Sequence, residues 1–515
     1  MDHAKIEAFL ADPATHDGAP VQVVRTHAAL VFLAGDSALK IKRPVTYDYL
    51  DFSRPETRRA MLEREIALNA PAAPEIYGEM VPITRAGDGS LALDGSGEAV
   101  EWALRMRRFP AEAELSRIAA RGALDPALAV RLGTAVAAYH AAAPRRTACG
   151  AELIAEILDE LARVFAEMPD RLSPGRTAGF RTAAGRALDT AAPLLRDRSA
   201  AGFVRRCHGD LHLGNIVLIG DRPVPFDALE FDERLGTMDI LYDLAFLLMD
   251  LRQRGLDAAA NIVLNRWLHA MADPAHLDGL AALPLFLSVR AAIRAMVAGQ
   301  RAAGAADRPG AIAEAEAYLA AAEGYLAPAA ARLVAVGGLS GSGKSTLGAA
   351  LSPLLGPPPG AVHLRSDLIR KRHAGVAETD RLPPESYTPE SAAAVYATLR
   401  DEARRTLAAG QAVVLDAAHL HAEERAATAA VAAAAGVPFL GLWLDAPPEV
   451  LFARVGARHD DASDADASVV RHQLDRAGDT IAGSGPGSDP GPGWQRIDAT
   501  GSPETLLQTV RTRLA

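Results

Sequence analysis

Apolar and polar positions alternate with a period of two at several places in the first hundred residues. The runs VQVVRT (21–26), ALVFLAG (29–35) and ALKIKRP (38–44) read as strands, with Gly35-Asp36 as a hairpin turn between the last two. A helix is predicted over 56–68, opened by Arg54-Pro55, with Met61, Leu62, Ile66 and Leu68 set among charges. Strands return around GEMVPITR, SLALDG and EAVEWALRMRRF. From about Ala111 to about residue 326 the spacing is helical, broken by a loop-rich island, CHGDLHLGNIVLIGDRPVPFDALEF (207–231). Past Leu326-Ala327-Pro328 the pattern changes. A strongly apolar strand, RLVAVGGL, begins a series in which the strands VHLRSD, AVVLDA, PFLGLWLDA and WQRIDA alternate with helical segments, which argues for a parallel sheet covered on both faces. The reading is therefore two domains, 1–328 and 329–515. The first is α+β, with a strand-rich lobe over 1–110 and a helical lobe over 111–328; the second is α/β.

Charge and cysteine content narrow the function classes. Lys+Arg is 54 and Asp+Glu is 64, a net charge of −10, which argues against a chain whose main surface binds polyanions. Cys149 and Cys207 are too few for a disulfide framework or a cysteine zinc site, so a reducing, cytoplasmic setting is expected. The charged N-terminal residues contain no secretory h-region. Residues 426–444 form an uncharged stretch near the length of a membrane span. Its first half is mostly alanine and Gly436-Val437-Pro438 interrupts it, so it reads as a helix end, a turn and a buried strand. No membrane partner is expected.

The run from Gly338 to Ser345 satisfies G-x-x-x-x-G-K-[ST] between an apolar strand and an Ala/Leu-rich helix. Gly338, Ser340, Gly341, Ser342, Gly343, Lys344, Ser345 and Thr346 are the expected phosphate cradle, because backbone N–H groups and a helix N-terminus converge there. Lys344 is expected at the β/γ-phosphates and Ser345 on Mg²⁺, with Asp416 at the end of AVVLDA as a Walker-B-type carboxylate acting on Mg²⁺ through water. Asp367, ending VHLRSD, is either the base for an acceptor hydroxyl or a helix N-cap. Arg370, Lys371 and Arg372 then clamp an anionic substrate or form a solvated basic face. Arg454 and Arg458 share a helix face, as lid arginines over a triphosphate or as surface residues. With GGLSGSGKST, RSDLIRK, VVLDAAHL followed by EER, and RVGARHDDASDA, residues 332–512 resemble the small P-loop kinases that include polynucleotide 5′-kinase domains, zeta-type toxins and gluconate-type kinases. The resemblance implies a three-layer α/β/α P-loop fold, with Asp367 activating the acceptor and Arg454 and Arg458 in the lid. It implies no particular acceptor.

The island at 207–231 carries a second constellation. Asp210 precedes Asn215 by five residues, the spacing of a phosphoryl-transfer loop in which the aspartate takes the hydroxyl proton and the asparagine holds Mg²⁺. Asp227, ending the short strand PVPFD, supplies the other metal carboxylate. His208 and His212 sit four apart, but Gly209 stands where a zinc helix needs glutamate, so zinc is not expected. Upstream, Lys40 in ALKIKRP and Glu65 in MLEREIAL are the expected phosphate-contacting lysine and its partner. Lys42 shares a strand face with Lys40, and Glu63 is the alternative glutamate. With CHGDLHLGN and FDALEF, residues 20–320 resemble aminoglycoside phosphotransferase-type kinases, relatives of protein kinases. No G-x-G-x-x-G precedes Lys40, and Asp227 is followed by Ala228-Leu229-Glu230 in place of Phe-Gly. The resemblance implies a bilobal kinase-like fold, with Asp239 and Asp243 as buried carboxylates behind the loop. For Asp243 a helix cap is equally compatible.

The whole chain resembles bacterial fusions of an aminoglycoside phosphotransferase-like domain with a P-loop ATP-binding domain. The expected function is a bifunctional ATP-dependent kinase. Two Mg²⁺-ATP sites would each pass the γ-phosphoryl group to a hydroxyl of an unidentified small molecule. Two rivals are a polynucleotide 5′-hydroxyl kinase, supported by the basic group near Asp367 and opposed by the net charge, and an ATP-sensing regulator with an inactive N-terminal half.

Overall fold

The computed structural model describes residues 3–26, 28–47, 50–457, 462–480 and 490–514. Contacts divide the chain into two compact units. One comprises Met1–Leu153 with Asp197–Asp250, the other Ile154–Arg196 with Leu251–Ala515.

The first unit is built on a six-stranded antiparallel sheet. Its order is Val21–Arg25, Ala29–Ala34, Ser37–Lys42, Glu98–Arg107, Tyr77–Arg85 and Leu91–Leu93. Ala34 pairs with Ser37 across the Gly35-Asp36 turn, as expected. A helix, His3–Ala11, precedes the strands and does not stand out in the sequence pattern. It is short, and anchors through Ile6 and Leu10 against Leu30, Phe32, Leu39 and Ile41. Because strand side chains alternate, burying Leu39 and Ile41 on that face turns Lys40 and Lys42 to the other. On that other side lies helix Pro55–Asn69, which buries Arg58, Leu62, Glu65 and Asn69 at helical spacing. Leu62 shares a core with Ile76, Leu104, Val217 and Val224. The last two lie on the hairpin Ile216–Ile219 and Arg222–Pro225, so one apolar cluster brings the loop island under the sheet.

In the second unit a five-stranded parallel sheet runs in the order Val362–Arg365, Val413–Asp416, Leu333–Gly338, Phe439–Asp445, Trp494–Asp498. These are the five strands expected from the sequence. Val334, Val336, Val414, Leu442 and Leu444 point into one core with Leu347, Leu351, Leu506 and Val510 from flanking helices. Residues 426–444 form the end of helix Ala422–Ala435, a turn at Gly436 and strand Phe439–Asp445. The helices between Leu251 and residue 328 also belong to this unit. Helix Asp257–Met271 covers the sheet's edge: Asn261 Nδ2 and Asn265 Nδ2 donate to Ala361 O, and His363 N–H donates to Asn265 Oδ1 at 2.7 Å. Those side chains meet backbone groups that a further strand would otherwise pair. The stretch Ala275–Arg301 is apolar and long enough to cross a membrane, and 67% of its most apolar 18 residues are buried inside the protein.

Candidate active sites

In the first unit, Glu65 is fully buried and receives both lysines. Lys40 Nζ lies 2.7 Å from Oε1 and Lys42 Nζ lies 2.7 Å from Oε2. Each lysine then takes a different second partner, Asp227 Oδ1 at 2.7 Å for Lys40 and Glu230 Oε1 at 2.6 Å for Lys42. Burial alone would lower the Lys40 ammonium, but Asp227 and Glu65 outweigh it and raise it well above its ordinary value. Burial alone would raise Glu65 and Asp227, and the lysines instead hold both carboxyls below the usual range. Glu63, the alternative, pairs with Arg59 on an exposed surface. Asp227 has φ 62, a left-handed conformation uncommon for aspartate, and its N–H donates to Tyr77 Oη at 2.9 Å. The next N–H, of Ala228, donates to Asn69 Oδ1 at 2.8 Å. Helix Pro55–Asn69 thus contributes Glu65 to the lysines and Asn69 to the segment carrying Asp227.

The loop from His208 to Asn215 lies beside this cluster. Asn215 Nδ2 donates to Asp210 Oδ2 at 2.9 Å and to Asp210 O at 3.0 Å, so Oδ1 is the Asn215 atom that could hold a cation. Phe226 N–H donates to Asn215 O, so the hairpin sets Asn215 and Asp227 at neighbouring strand ends. An amide oxygen and a carboxylate are hard donors that suit Mg²⁺, which takes few protein ligands and keeps phosphate and water oxygens. Two carboxylates on helix Ile240–Gln253 hold the loop's backbone. Asp243 accepts the N–H groups of His208 (3.1 Å) and Gly209 (3.0 Å), with His140 Nε2 at 3.2 Å. Asp250 accepts the N–H of Leu213 at 3.0 Å. Gly209 has φ 86, and a Cβ there would come within 2.9 Å of Leu229 Cδ1, so the glycine is sterically required. His208 Nδ1 accepts from Asp210 N–H and its Nε2 lies 2.9 Å from Phe226 O, tying the loop to the residue before Asp227. Burial lowers the His208 pKa, which favours the neutral ring that this pairing requires.

The second unit opens a cavity of about 1230 Å³ at the carboxyl ends of its strands, where open parallel sheets bind ligands. Parallel register sets Val336 and Arg365 level with Asp416. Between strand Leu333–Gly338 and helix Lys344–Leu351, the loop turns on Gly338, Gly341 and Gly343, all at positive φ. A Cβ on Gly341 would lie 2.6 Å from Leu451 O. Ser345 Oγ donates to Asp416 Oδ2 at 2.6 Å, and Lys344 Nζ curls back to Leu339 O at 2.9 Å. Burial would raise Asp416, but His363, Arg365 and Lys344 hold it far below its usual range. This hydroxyl–carboxylate pair is again a hard-donor set that suits Mg²⁺. Asp367 lies in the first turn of helix Ser366–Ala374, lines the cavity, and has its pKa raised by burial and then by Asp416. It is not an N-cap; Arg365 holds that position. Ser340, Gly341, Gly343, Lys344, Ser345 and Thr346 line the cavity with it, whereas Gly338 and Ser342 are buried behind the loop.

Residues 54–282 match the phosphotransferase enzyme family, and residues 333–480 match an AAA domain. The chain joins a phosphotransferase-family domain to a P-loop domain. Uncharacterized proteins of Mycobacterium tuberculosis and Mycobacterium bovis are 27% identical to it over 480 residues, covering 90% of this chain and 91% of theirs. Among solved structures, a choline/ethanolamine kinase family protein from Mesorhizobium loti is 18% identical, covering 62% of this chain and 99% of its own, with a TM-score of 0.37. A sugar kinase from Janibacter sp. HTCC2649 is 22% identical, covering 36% and 94%, with a TM-score of 0.26.

Within the P-loop domain the remaining candidates separate. Arg370 lines the cavity. Lys371 is buried, with Nζ at 2.7 and 2.8 Å from the two Asp464 oxygens; Arg372 pairs with Glu402; and Arg365 lies 3.5 Å from Asp416. The basic group is therefore largely matched by carboxylates. Arg454 is not brought to the cavity; its Nη2 lies 3.3 Å from Gly501 O and 3.5 Å from Thr500 O. Arg458 lies outside the described residues. Sequence reasoning missed Asp250, although it stands two helical turns beyond Asp243 and so on the same face. It also missed Gln473, whose Oε1 accepts the Ser340 N–H at 2.8 Å, and no motif marks that residue. In the phosphotransferase-family domain, Asp239 pairs with Arg198 instead of with the loop.

Proposed function

We propose that the protein is an ATP-dependent kinase with two Mg²⁺-ATP sites, each passing the γ-phosphoryl group to a hydroxyl of a small molecule, with the boundary between catalytic domains near residue 328. The observation that carries this reading is the Lys40–Asp227 contact at 2.7 Å, which joins the sheet lysine to the end of the loop island. In the first site, Asp210 would orient the acceptor hydroxyl and take its proton. Asn215 and Asp227 would hold the metal, and Lys40, oriented by Glu65, would meet the phosphates. In the P-loop site, the loop's N–H groups and Lys344 would bind the phosphates, Ser345 and Asp416 would hold the metal, and Asp367 would receive the acceptor proton. Bound Mg²⁺ would supply charge neutralisation on the phosphoryl oxygens. Positioning and charge then account for most of the rate enhancement.

Carboxylate pairing of Lys371, Arg372 and Arg365 weighs against a nucleic-acid acceptor, as does the net charge of −10. Two free cysteines agree with a reducing cytoplasmic setting. The test is labelled phosphoryl transfer from ATP into a metabolite pool by the full chain, by Asp210→Ala and by Lys344→Ala. Each substitution should abolish a different labelled product. If Asp210→Ala removes none, the first unit does not transfer phosphate, and the regulatory reading replaces it.

A further inference from the structure

Five charges in the first unit form one chain of alternating sign, running Glu230, Lys42, Glu65, Lys40, Asp227. Every neighbouring pair lies 2.6 or 2.7 Å apart. One end of the chain is closed and the other is open. The side chains of Lys42 and Glu65 are 2% and 0% exposed and Glu230 is buried, whereas the Asp227 side chain is 45% exposed. Lys42 Nζ lies 6.0 Å from the centroid of the Phe52 ring, itself buried. Both lysines leave the same face of strand Ser37–Lys42, so they flank the carboxylate of Glu65, one on each oxygen. Only Lys40 stands at the open end. Within the chain three carboxylates face two ammonium groups, and Asp227, the most exposed of the three, can meet a further cation with the least burial.

A lysine that meets phosphates has to leave Asp227, and Asp227 has to give it up before that oxygen can hold a metal ion. The obstacle is Glu65. A buried carboxylate with a single cation draws that cation onto both oxygens, because an unpaired buried charge costs far more than a paired one. Lys42 removes the obstacle by serving Oε2 from the closed end, where Glu230 holds it. We propose that Lys42, fixed by Glu230, is a positioning residue of the first site: it anchors Glu65 so that Lys40 can pass from Asp227 to the phosphate oxygens of ATP. This rests on the kinase reading of that site. In the exchange no covalent bond changes and no proton moves. The Lys40 ammonium trades one anionic oxygen for another while its contact with Glu65 Oε1 persists. Lys42, buried at the closed end, touches neither nucleotide nor acceptor and acts through Glu65.

The test uses the full chain carrying Lys344→Ala, so that nucleotide binding reports the first site. A non-hydrolysable ATP analogue with Mg²⁺ is titrated calorimetrically, and thermal unfolding is followed on the same proteins. Lys42→Met should weaken analogue binding about tenfold or more, since Lys40 is drawn back to Glu65 and its charge-assisted bond to phosphate is lost. It should also lower Tm, because Glu230 is left buried without its cation. Adding Glu230→Gln removes that orphaned charge, so the double variant should recover most of the Tm loss while analogue binding stays weak. A purely structural Lys42 would have Tm and binding recover together. That result would overturn the proposal, as would parental affinity in Lys42→Met. Where Lys42→Met does not fold, the double variant decides: weak binding supports the proposal and parental binding overturns it. Absence of binding in the Lys344→Ala parent would sink the kinase reading of the first site, and this inference with it.

Discussion

Lys40 Nζ and Asp227 Oδ1 lie 2.7 Å apart although 187 residues separate them in sequence. The pair joins the antiparallel sheet to the loop island, with Lys40 buried and the Asp227 side chain half-exposed. Lys40→Met should destabilise the first unit by about 1–3 kcal/mol, less than breaking a fully buried pair, since Asp227 is half-exposed and Lys42 still serves Glu65. Urea unfolding followed by tryptophan fluorescence checks this. A midpoint unchanged from wild type would mean that the pair contributes nothing.

The same cluster sets a pH dependence. Glu65 and Asp227 have folded pKa values depressed below their ordinary values of 4.5 and 3.8. Their contribution is fully present above those ordinary values and is lost as pH falls through the folded ones. Lys40, raised above 10.5, contributes fully below that pH and loses its contribution only as pH rises through the higher folded value. Thermal unfolding from pH 7 down to pH 3 should thus show a steeper fall in Tm below about pH 4.5 for wild type than for Lys40→Met. Parallel curves would contradict the assignment.

Asp243 holds the backbone of the loop that carries Asp210, the residue proposed to activate the acceptor hydroxyl. Asp243→Ala leaves the N–H groups of His208 and Gly209 without their acceptor. The expected result is a loss of about 1–3 kcal/mol in stability. In addition, the first site's kcat should fall by about tenfold or more while its KM for ATP stays near wild type. Equal losses in kcat for both sites would indicate general unfolding instead of a misplaced loop.

The edge strand Val362–Arg365 depends on helix Asp257–Met271 for its outer hydrogen bonds. Asn265 serves both Ala361 O and His363 N–H, whereas Asn261 serves Ala361 O and holds Asn265. Asn265→Ala should cost about 1–2 kcal/mol, more than Asn261→Ala, because it also removes the acceptor of the half-buried His363 N–H. Hydrogen exchange at His363 should accelerate in Asn265→Ala. Unchanged exchange there would show that the helix does not hold the edge.

Much of the fold was legible because its signals are local. The three central parallel strands are continuous apolar runs, and the P-loop has its glycines where positive φ is needed. The strand hairpin at Gly35-Asp36 and the loop from His208 to Asn215 were equally local. What the sequence left open was which member of an alternating pair makes a contact. Lys40 and Lys42 share a face, and both in fact reach Glu65; only the chain returning at Asp227 and Glu230 distinguishes them. Long-range partners account for the other gaps. Nothing near Lys371 announces Asp464, and helix His3–Ala11 is too short for its two anchors to register as a pattern. Arg454 shows the reverse, since a helix face read correctly still points to the Thr500–Gly501 carbonyls and not to the cavity.

The most direct test of two separate nucleotide sites in one chain is equilibrium calorimetry of the full-length protein with a non-hydrolysable ATP analogue and Mg²⁺. Two equivalents should bind to wild type, one to Lys344→Ala and one to Lys40→Ala, with the two substitutions removing different binding isotherms. A single equivalent in wild type, or no loss in either variant, would contradict the account.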